Sequence, residues 1–324
     1  MRAVIYSGAG GAEVITIGEV PVPEVKPGHI RVRVHAAGLN RADILQRRGS
    51  YPAPKGWPAD IPGLEYAGEV EAVRGASRWK RGDRVMGLVG GGAMAELLTV
   101  HQDEALPVPE GLSYADAAAI PEAFLTAYDA LVARGRTAAG ERVLIHAVGS
   151  GVGTAAAQIA RHLGATVIGT SRSAGKLARA TVYGLDHGID TSLTPFRDGV
   201  GEPVHVILDV LGGPAFADNL AVLAPRGRLV LLGFLAGSAT TADLSPILRK
   251  RLEVIGTVMR TRSLDERIPL VREFTERMIP LFGQRIEHAP LRPVVERVFP
   301  MAELADAHRL LESNETFGKV IVTW

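Results

Sequence analysis

The sequence predicts an α/β protein that combines a doubly wound parallel sheet with a second, β-rich domain. Its 324 residues are enough for about two domains with sizeable cores. Short strands between Pro and Gly turns fill residues 1–120, whereas residues 121–264 alternate apolar strands with helices, which is typical of a parallel sheet. Residues 265–324 are expected to be helical at first and to end in a strand that rejoins the first domain.

The N-terminal segment carries the pattern of a half-buried antiparallel sheet. Residues 30–36 and 69–73 alternate apolar and polar side chains, and a Gly-Asp-Arg turn at 82–84 precedes the apolar run 85–88. Short strands of this kind, separated by turn residues, predict a compact antiparallel barrel or sandwich.

The strongest local pattern lies at 143–158, where an apolar strand passes through a glycine-rich turn into a helix. The start of a helix offers free backbone N–H groups and the positive end of the helix dipole to a pyrophosphate. The motif is not a complete G-x-G-x-x-G, because Val148 and Ser150 occupy its first two glycine positions and only Gly153 matches the third. We therefore expect Ser150, Gly151 and Val152 to lie near the pyrophosphate of a dinucleotide.

The residues after this turn complete a strand–helix–strand unit. Apolar side chains recur on one helical face through Leu163, and a second strand follows Gly164 at 166–170. This is the length expected of a βαβ unit. The alternative is a glycine-punctuated helix in some other α/β fold.

The end of the second strand favours NADPH over NADH. NAD-preferring sites place an acidic residue roughly 20 residues beyond the glycines, whereas an Arg there accommodates a 2′-phosphate. Here Ser171 and Arg172 follow the strand, Lys176 lies one turn further on, and no carboxylate occurs between them. The alternative is that Arg172 and Lys176 are ordinary solvated charges.

Composition excludes several classes of protein. Hydrophobic residues make up 47% and charged residues 22%, and the formal net charge of +1 gives no reason to expect nucleic acid or an anionic membrane as a partner. The absence of cysteine excludes disulfides, thiolate catalysis and Cys-based zinc sites, and favours a cytoplasmic location. Neither a signal-peptide pattern nor a run of roughly 18 apolar residues is found.

A series of short motifs, met in a fixed order along nearly the whole chain, adds a resemblance. They lie at 37–43, 49–51, 62–68, 82–85, 119–128, 149–157 and 317–320. In this order they resemble the medium-chain dehydrogenase/reductase superfamily and, more narrowly, its zinc-independent quinone oxidoreductases of the p53-inducible type. The resemblance implies a GroES-like catalytic domain built from both chain ends, a Rossmann domain between them, and a homodimer formed through the Rossmann sheet.

The same resemblance implies catalysis without a metal. Zinc-dependent relatives carry Cys where this chain has Asn40 and His where it has Leu64, and neither replacement is a usual zinc ligand. Glu65 is then expected to be a structural hydrogen-bond acceptor rather than a general base. His146 is expected to pack beneath the glycine-rich turn, and no histidine is assigned to catalysis.

The expected reaction is the reduction of a quinone by hydride transfer from NADPH. Charge that develops on a quinone is delocalised, so a few hydrogen-bond donors can replace a metal. We expect Asn40 and Tyr51 to supply these donors, Thr126 to position the nicotinamide ribose or the acceptor, and Tyr51 or water to supply the proton. Alternatively, Asn40 is only the N-cap of the following helix, and Tyr51 is a loop residue with no chemical role.

The resemblance also implies the remaining cofactor contacts. Gly233, Phe234 and Leu235 are expected to border the nicotinamide, with Phe317 and Lys319 closing over it. One departure concerns the 2′-phosphate, because many relatives place a Tyr beside it where this chain has Thr191. The neighbouring Asp190 would repel the phosphate if it pointed inward.

Two other functions are compatible with these residues. One is the reduction of an enoyl thioester or a 2-alkenal, which shares the fold and the cofactor. The other is an NADPH-binding regulatory protein with vestigial activity, since no strong general acid is visible in the sequence.

Overall fold

The computed structural model describes residues 1–283 and 291–324, which form two compact units. Unit 1 comprises Met1–Leu125 and Met259–Trp324, and unit 2 comprises Thr126–Val258. These limits differ by about five residues from the predicted boundaries after residues 120 and 264. The difference arises because residues 121–125 and 259–264 make their contacts within unit 1.

In its described residues, unit 1 contains two sheets made of nine strands. Their bounds are β1 Arg2–Tyr6, β2 Ile15–Glu19, β3 His29–Leu39, β4 Glu65–Val73, β5 Arg84–Leu88, β6 Leu97–His101, β7 Ala105–Pro107, β14 Val295–Pro300 and β15 Lys319–Thr323. Strands β1 and β2 pair with each other, and the other seven form a sheet in the order β14-β15-β3-β4-β5-β7, with β6 also pairing with β3. All pairs are antiparallel except β14 with β15.

The last strand lies in the same sheet as strands of the N-terminal segment. Strand β15 pairs antiparallel with β3, with Val320 opposite Leu39. Alternation along β3 buries Ile30, Val32 and Val34 in the core of unit 1, as the period-two pattern of the sequence predicts.

Five described helices lie in unit 1, four of them wholly and α3 up to Leu125. Their bounds are α1 Arg41–Arg47, α2 Tyr114–Ala117, α3 Pro121–Tyr128, α9 Leu264–Arg277 and α10 Leu304–Glu312. Helix α1 begins where β3 ends, and Asn40 is its N-cap, as one of the two interpretations of this residue predicts. The backbone N–H of Asn40 donates to the carboxylate of Asp43 at 2.8 Å, which fixes the start of the helix.

Unit 2 is a six-stranded parallel sheet with helices between its strands. The strands are β8 Arg142–Ile145, β9 Thr166–Ser171, β10 His187–Asp190, β11 Val204–Asp209, β12 Leu223–Leu231 and β13 Glu253–Gly256, and the helices are α4 Gly151–His162, α5 Ala174–Ala180, α6 Phe196–Gly199, α7 Gly213–Val222 and α8 Ser245–Lys250. The order is β10-β9-β8-β11-β12-β13. Counted from β8, this is the 3-2-1-4-5-6 order of a Rossmann fold, so the predicted fold class is confirmed.

From β8, the strands β9 and β10 are added on one side of the sheet, and β11, β12 and β13 are added on the other side. In open parallel sheets, ligands bind at the point where the strand order reverses in this way, which is here between β8 and β11. Val143, Leu144 and Ile145 are at most 1% exposed, which explains the continuous apolar run of this strand. None of the described helices combines the length and the apolar character that a bilayer span requires.

Candidate active site

The turn between β8 and α4 has the geometry of a pyrophosphate site. Ser150 caps α4 by accepting a hydrogen bond from the Gly153 N–H at 3.0 Å. Gly151 and Val152 begin the helix, where backbone N–H groups have no acceptor inside the helix. A Cβ on Gly153 would lie 2.5 Å from the Ala147 carbonyl oxygen, so only glycine fits there. The described residues therefore fit a bound dinucleotide at this turn.

A buried polar network lies beneath the turn, and it confirms the expected burial of His146. Nε2 of His146 is 2.8 Å from Asn219 Oδ1 and Nδ1 is 3.1 Å from Thr170 Oγ1, while Asn219 Nδ2 donates to Asp209 at 3.1 Å. Burial lowers the pKa of His146, so the ring is neutral and the bond to Asn219 assigns its proton to Nε2. The network ties together the ends of β8, β9 and β11.

The residues expected at the 2′-phosphate follow β9. Ser171 ends that strand, Arg172 is exposed, and the N-cap Ser173 accepts a hydrogen bond from the Lys176 N–H at 3.4 Å. Within residues 1–283 and 291–324, no carboxylate forms an ion pair with Arg172. Its guanidinium is therefore available to a phosphate.

Asp190, whose orientation was left open by the sequence, bonds to its own turn. Its carboxylate accepts from the backbone N–H of Ser192 at 2.9 Å and from the Ser192 hydroxyl at 2.6 Å. These two bonds lower the pKa of Asp190, so it is ionised at neutral pH. Thr191 lies beside Ser171, to whose carbonyl its backbone N–H donates at 2.8 Å.

Two features of unit 2 fit the nicotinamide end of a cofactor. Phe234 and Leu235 follow β12 with 56% and 55% of their surface exposed, and Gly233 precedes them. Thr126 carries a buried hydroxyl for which none of the described residues is a hydrogen-bond partner. Since buried polar atoms are normally satisfied, this hydroxyl is suited to a ligand.

In unit 1 the predicted catalytic residue Asn40 belongs to a buried ion-pair cluster. Glu65 is 0% exposed and accepts from Lys319 Nζ at 2.6 Å, from Asn40 Nδ2 at 2.9 Å and from the Glu122 backbone N–H at 2.8 Å. Lys319 also donates to Asn40 Oδ1 at 2.5 Å and to the Leu39 carbonyl at 3.0 Å. Glu65 is thus the acceptor that the sequence predicts.

The cluster changes the interpretation of two residues assigned to the cofactor from sequence. The ammonium of Lys319 has three acceptors inside unit 1, and Phe317 is 0% exposed. A contact of either residue with the cofactor stays a prediction. What the structure gives Lys319 is the role of counter-ion to Glu65.

Tyr51, the other predicted donor, is held by an arginine that sequence reasoning missed. Arg260 donates to the Tyr51 carbonyl at 3.1 Å and to Gln46 Oε1 at 2.5 Å, and its guanidinium lies 5.0 Å from the centre of the Tyr51 ring. Burial raises the pKa of Tyr51. The described residues form no hydrogen bond with its hydroxyl, which is therefore available to a substrate.

The residues around Asn40 do not fit a zinc ion. Leu64 is 2% exposed and apolar, Asn40 is committed to Glu65 and Lys319, and the chain has no cysteine. Across residues 1–283 and 291–324, no group of three or more His, Asp or Glu side chains is arranged to hold a metal ion.

A Rossmann sheet with an open phosphate turn, accompanied by a β-rich unit with a polar cluster, defines a nicotinamide-dependent oxidoreductase. Residues 26–110 match the alcohol dehydrogenase GroES-like domain, and residues 151–277 match the zinc-binding dehydrogenase family. The second matching family is described as zinc-binding, whereas Asn40 and Leu64 are not usual zinc ligands and the chain has no cysteine.

Three individual relatives identify the subgroup of this superfamily to which the chain belongs. A quinone oxidoreductase of Pseudomonas aeruginosa is 33% identical over 99% of both chains. The human synaptic vesicle membrane protein VAT-1 homolog is 31% identical over 99% of this chain and 86% of its own length. The quinone oxidoreductase of Thermus thermophilus, solved also as a complex with NADPH, is 35% identical, covers 100% of both chains and superposes with a TM-score of 0.86. The chain belongs to the quinone oxidoreductases of the medium-chain dehydrogenase/reductase superfamily, and it is an oxidoreductase with a nicotinamide cofactor.

Proposed function

We propose that this protein reduces quinones with NADPH and without a metal ion. The observation that supports the proposal is a buried ion pair, in which Lys319 and Asn40 bond to Glu65 beside the apolar Leu64. The P. aeruginosa and T. thermophilus quinone oxidoreductases, at 33% and 35% identity, support the acceptor class.

Some of these residues bind the cofactor, and others stabilise the negative charge that develops on the acceptor. NADPH, when bound, supplies a hydride from the nicotinamide ring. Ser150, Gly151 and Val152 hold the pyrophosphate, while Thr126 offers its hydroxyl to the ribose or the acceptor. The Tyr51 hydroxyl donates a hydrogen bond to the acceptor oxygen, where negative charge develops. Asn40 orients Glu65 and Lys319, because both hydrogens of its amide already bond to Glu65 and the Gly38 carbonyl.

Replacing Tyr51 by Phe is expected to lower kcat for quinone reduction by at least about 10-fold, because one donor to the developing oxyanion is lost. Asn40→Ala is expected to lower it too, through misplacement of Glu65 and Lys319. The measurement is NADPH oxidation with ortho- and para-quinones, 2-alkenals and an enoyl thioester as acceptors.

The matched control for these variants is Tyr114→Phe. Its hydroxyl donates to Glu69 at 2.7 Å, outside the cluster, and kcat should be unchanged. Unchanged turnover in both Tyr51→Phe and Asn40→Ala would remove these residues from the mechanism. Turnover with alkenals or thioesters but not with quinones would show that the protein is a 2-alkenal or enoyl thioester reductase. Tight NADPH binding with no oxidation by any acceptor would favour a regulatory protein.

Arg172→Ala is expected to raise the Kd for NADPH about 10-fold and to leave the Kd for NADH unchanged, since a charge-assisted bond to the 2′-phosphate is lost. Isothermal titration calorimetry of both coenzymes measures this difference. Arg249→Ala removes a similarly exposed charge from α8 in the same unit and should change neither Kd. Equal weakening of both coenzymes would contradict the assignment of Arg172 to the 2′-phosphate.

We further propose that two copies associate through the β13 edge of the unit 2 sheet. Strand β13 pairs only with β12 in the described sheet, and Leu248, Val254 and Val258 around it are 82%, 38% and 46% exposed. An unpaired strand edge flanked by apolar side chains is suited to pairing with another chain. Sedimentation velocity tests this proposal, and a monomer at micromolar concentration would refute it.

A further inference from the structure

The buried cluster of unit 1 extends beyond Asn40, Glu65 and Lys319. It holds three carboxyl groups and two cations that interact with one another, namely Glu65, Asp43, Glu122, Lys319 and Arg260. The charge of Glu122 is coupled to Glu65, Asp43, Lys319 and Arg260, which come from β4, α1, β15 and the segment after β13. With every group ionised, this largely buried cluster would carry a net negative charge. Because an uncompensated charge is costly away from water, one of the three carboxyls should hold a proton.

Hydrogen bonds identify which carboxyl that is. Glu65 accepts from Lys319, Asn40 and a backbone N–H, as described above. Asp43 accepts from the backbone N–H groups of Asn40 at 2.8 Å and of Gly63 at 3.1 Å. The carboxyl of Glu122 accepts no hydrogen bond from any described residue. Donors stabilise the ionised form, so the proton belongs on Glu122.

Electrostatics agrees with this assignment. Burial, followed by repulsion from Glu65, raises the pKa of Glu122 to about 7. Its position at the start of α3 would by itself favour the charged form, but desolvation and the neighbouring carboxylates outweigh the helix dipole. Glu122 as a whole residue is half-buried.

We propose that Glu122 is the proton donor of this active site and that Tyr51 acts as a hydrogen-bond donor only. The proposal rests on the quinone reductase function proposed above. Glu122 lies close enough to Tyr51 that its ionised form raises the pKa of that phenol. A phenol whose pKa lies above its usual 10 gives up its proton reluctantly at neutral pH, whereas an acid titrating near the working pH is well matched to the task.

The step balances as follows. The quinone accepts a hydride from the reduced nicotinamide and becomes a hydroquinone monoanion. The O–H bond of Glu122 breaks, and a new O–H bond forms on the anionic oxygen. The Glu122 carboxylate, now facing Glu65 and Asp43, recovers a proton from water. One quinone, one reduced nicotinamide and one proton are consumed, and hydroquinone and oxidised nicotinamide are formed.

The first test needs no cofactor and no turnover. Infrared difference spectroscopy of the free protein with ¹³C-labelled glutamate should detect a carboxyl band that disappears as the pH rises through about 7 and that is missing in Glu122→Gln. Glu104 provides the matched control, because burial beside Arg267 also raises its pKa to about 7. Glu104→Gln should remove a different band and keep that of Glu122. A Glu122 band absent already at pH 5 would overturn the proposal.

The second test follows kcat for quinone reduction from pH 5.5 to 9. In the wild type and in Glu104→Gln, kcat should fall as the pH rises above about 7, since the protonated form is the active one. In Glu122→Gln, kcat should be at least about 10-fold lower at pH 6 and should show no midpoint near 7. Glu122→Asp keeps a carboxylic acid and should restore a pH-dependent kcat, which separates proton transfer from a folding defect.

The outcomes separate the two proposals. Wild-type turnover with an unchanged profile in Glu122→Gln would overturn the role of Glu122 and leave the quinone reductase function standing. No oxidation of NADPH by quinones in the wild type would overturn the proposed function itself, and proton delivery with it, whatever the spectrum shows.

Discussion

Replacing Gly153 by Val is expected to weaken NADPH binding at least 100-fold. A Cβ at this position would lie 2.5 Å from the Ala147 carbonyl oxygen and 2.7 Å from the Cα of Val148, so the backbone of the turn has to move. Ala147 already has a left-handed φ of 51°, which leaves the turn little freedom to adapt. The displaced N–H groups of Gly151 and Val152 would then miss the pyrophosphate. Calorimetric titration with NADPH measures the loss.

Two companion variants separate binding from stability. Gly256→Ala adds a methyl group to unit 2 where no atom lies within 4 Å, and it should leave the Kd unchanged. Gly153→Ala carries the smaller form of the same clash and should give an intermediate Kd if the protein remains folded by circular dichroism. A Kd for Gly153→Val within twofold of the wild type would show that the dinucleotide does not approach this turn.

Replacing Lys319 by Met is expected to lower the free energy of unfolding by about 3–5 kcal/mol, because it leaves Glu65 buried without its cation. The side chains of Lys319 and Glu65 are only 6% and 0% exposed, so solvent cannot replace the lost partner. The double variant Lys319→Met with Glu65→Gln should recover much of this loss, since the carboxylate is then removed as well. Equilibrium denaturation in guanidinium chloride measures the free energy of unfolding of four proteins: the wild type, Lys319→Met, Glu65→Gln and the double variant.

Arg309→Met is the surface control for this cycle. Arg309 pairs with Asp306 at 2.6 Å, but the two side chains are 60% and 57% exposed, and exposed ion pairs typically contribute less than about 1 kcal/mol. A loss of less than about 1 kcal/mol in Lys319→Met would mean that the buried pair is solvated in solution. The same variant should also move the pH midpoint of kcat upward, because Lys319 lowers the pKa of Glu122.

The parallel sheet could be predicted because its signals are local. A continuous apolar run marks a strand buried on both faces, and a serine before Gly151 marks the start of a helix, so β8, the turn and α4 lie together in the sequence. The parallel arrangement of the strands followed from alternating strands and helices. The same reasoning placed Asn40 at the head of α1 and His146 in the core.

The chemistry of unit 1 could not be predicted in the same way, because it depends on pairs that are distant in the sequence. Arg260 meets Gln46 across 214 positions, and Lys319 meets Asn40 across 279. Glu122 follows a proline at a helix start, where the sequence suggests only a capping charge. Its raised pKa depends on removal from water and on Glu65, 57 positions away. The Pro121-Glu122 pair in the sequence indicates the start of a helix. It does not indicate that the Glu122 carboxyl lacks a cation of its own.

Strand β15 has a consequence for the order in which the chain can be completed. All six strands of unit 2 precede residue 257, whereas β3 receives its β15 neighbour only from residues 319–323. During synthesis, the contiguous half that takes the coenzyme can close while the other half still lacks a partner for one of its longest strands. Lys319, the first residue of that late strand, is the cation that pairs with Glu65. The buried carboxylate of Glu65 therefore has no counter-ion until the ribosome has passed residue 319.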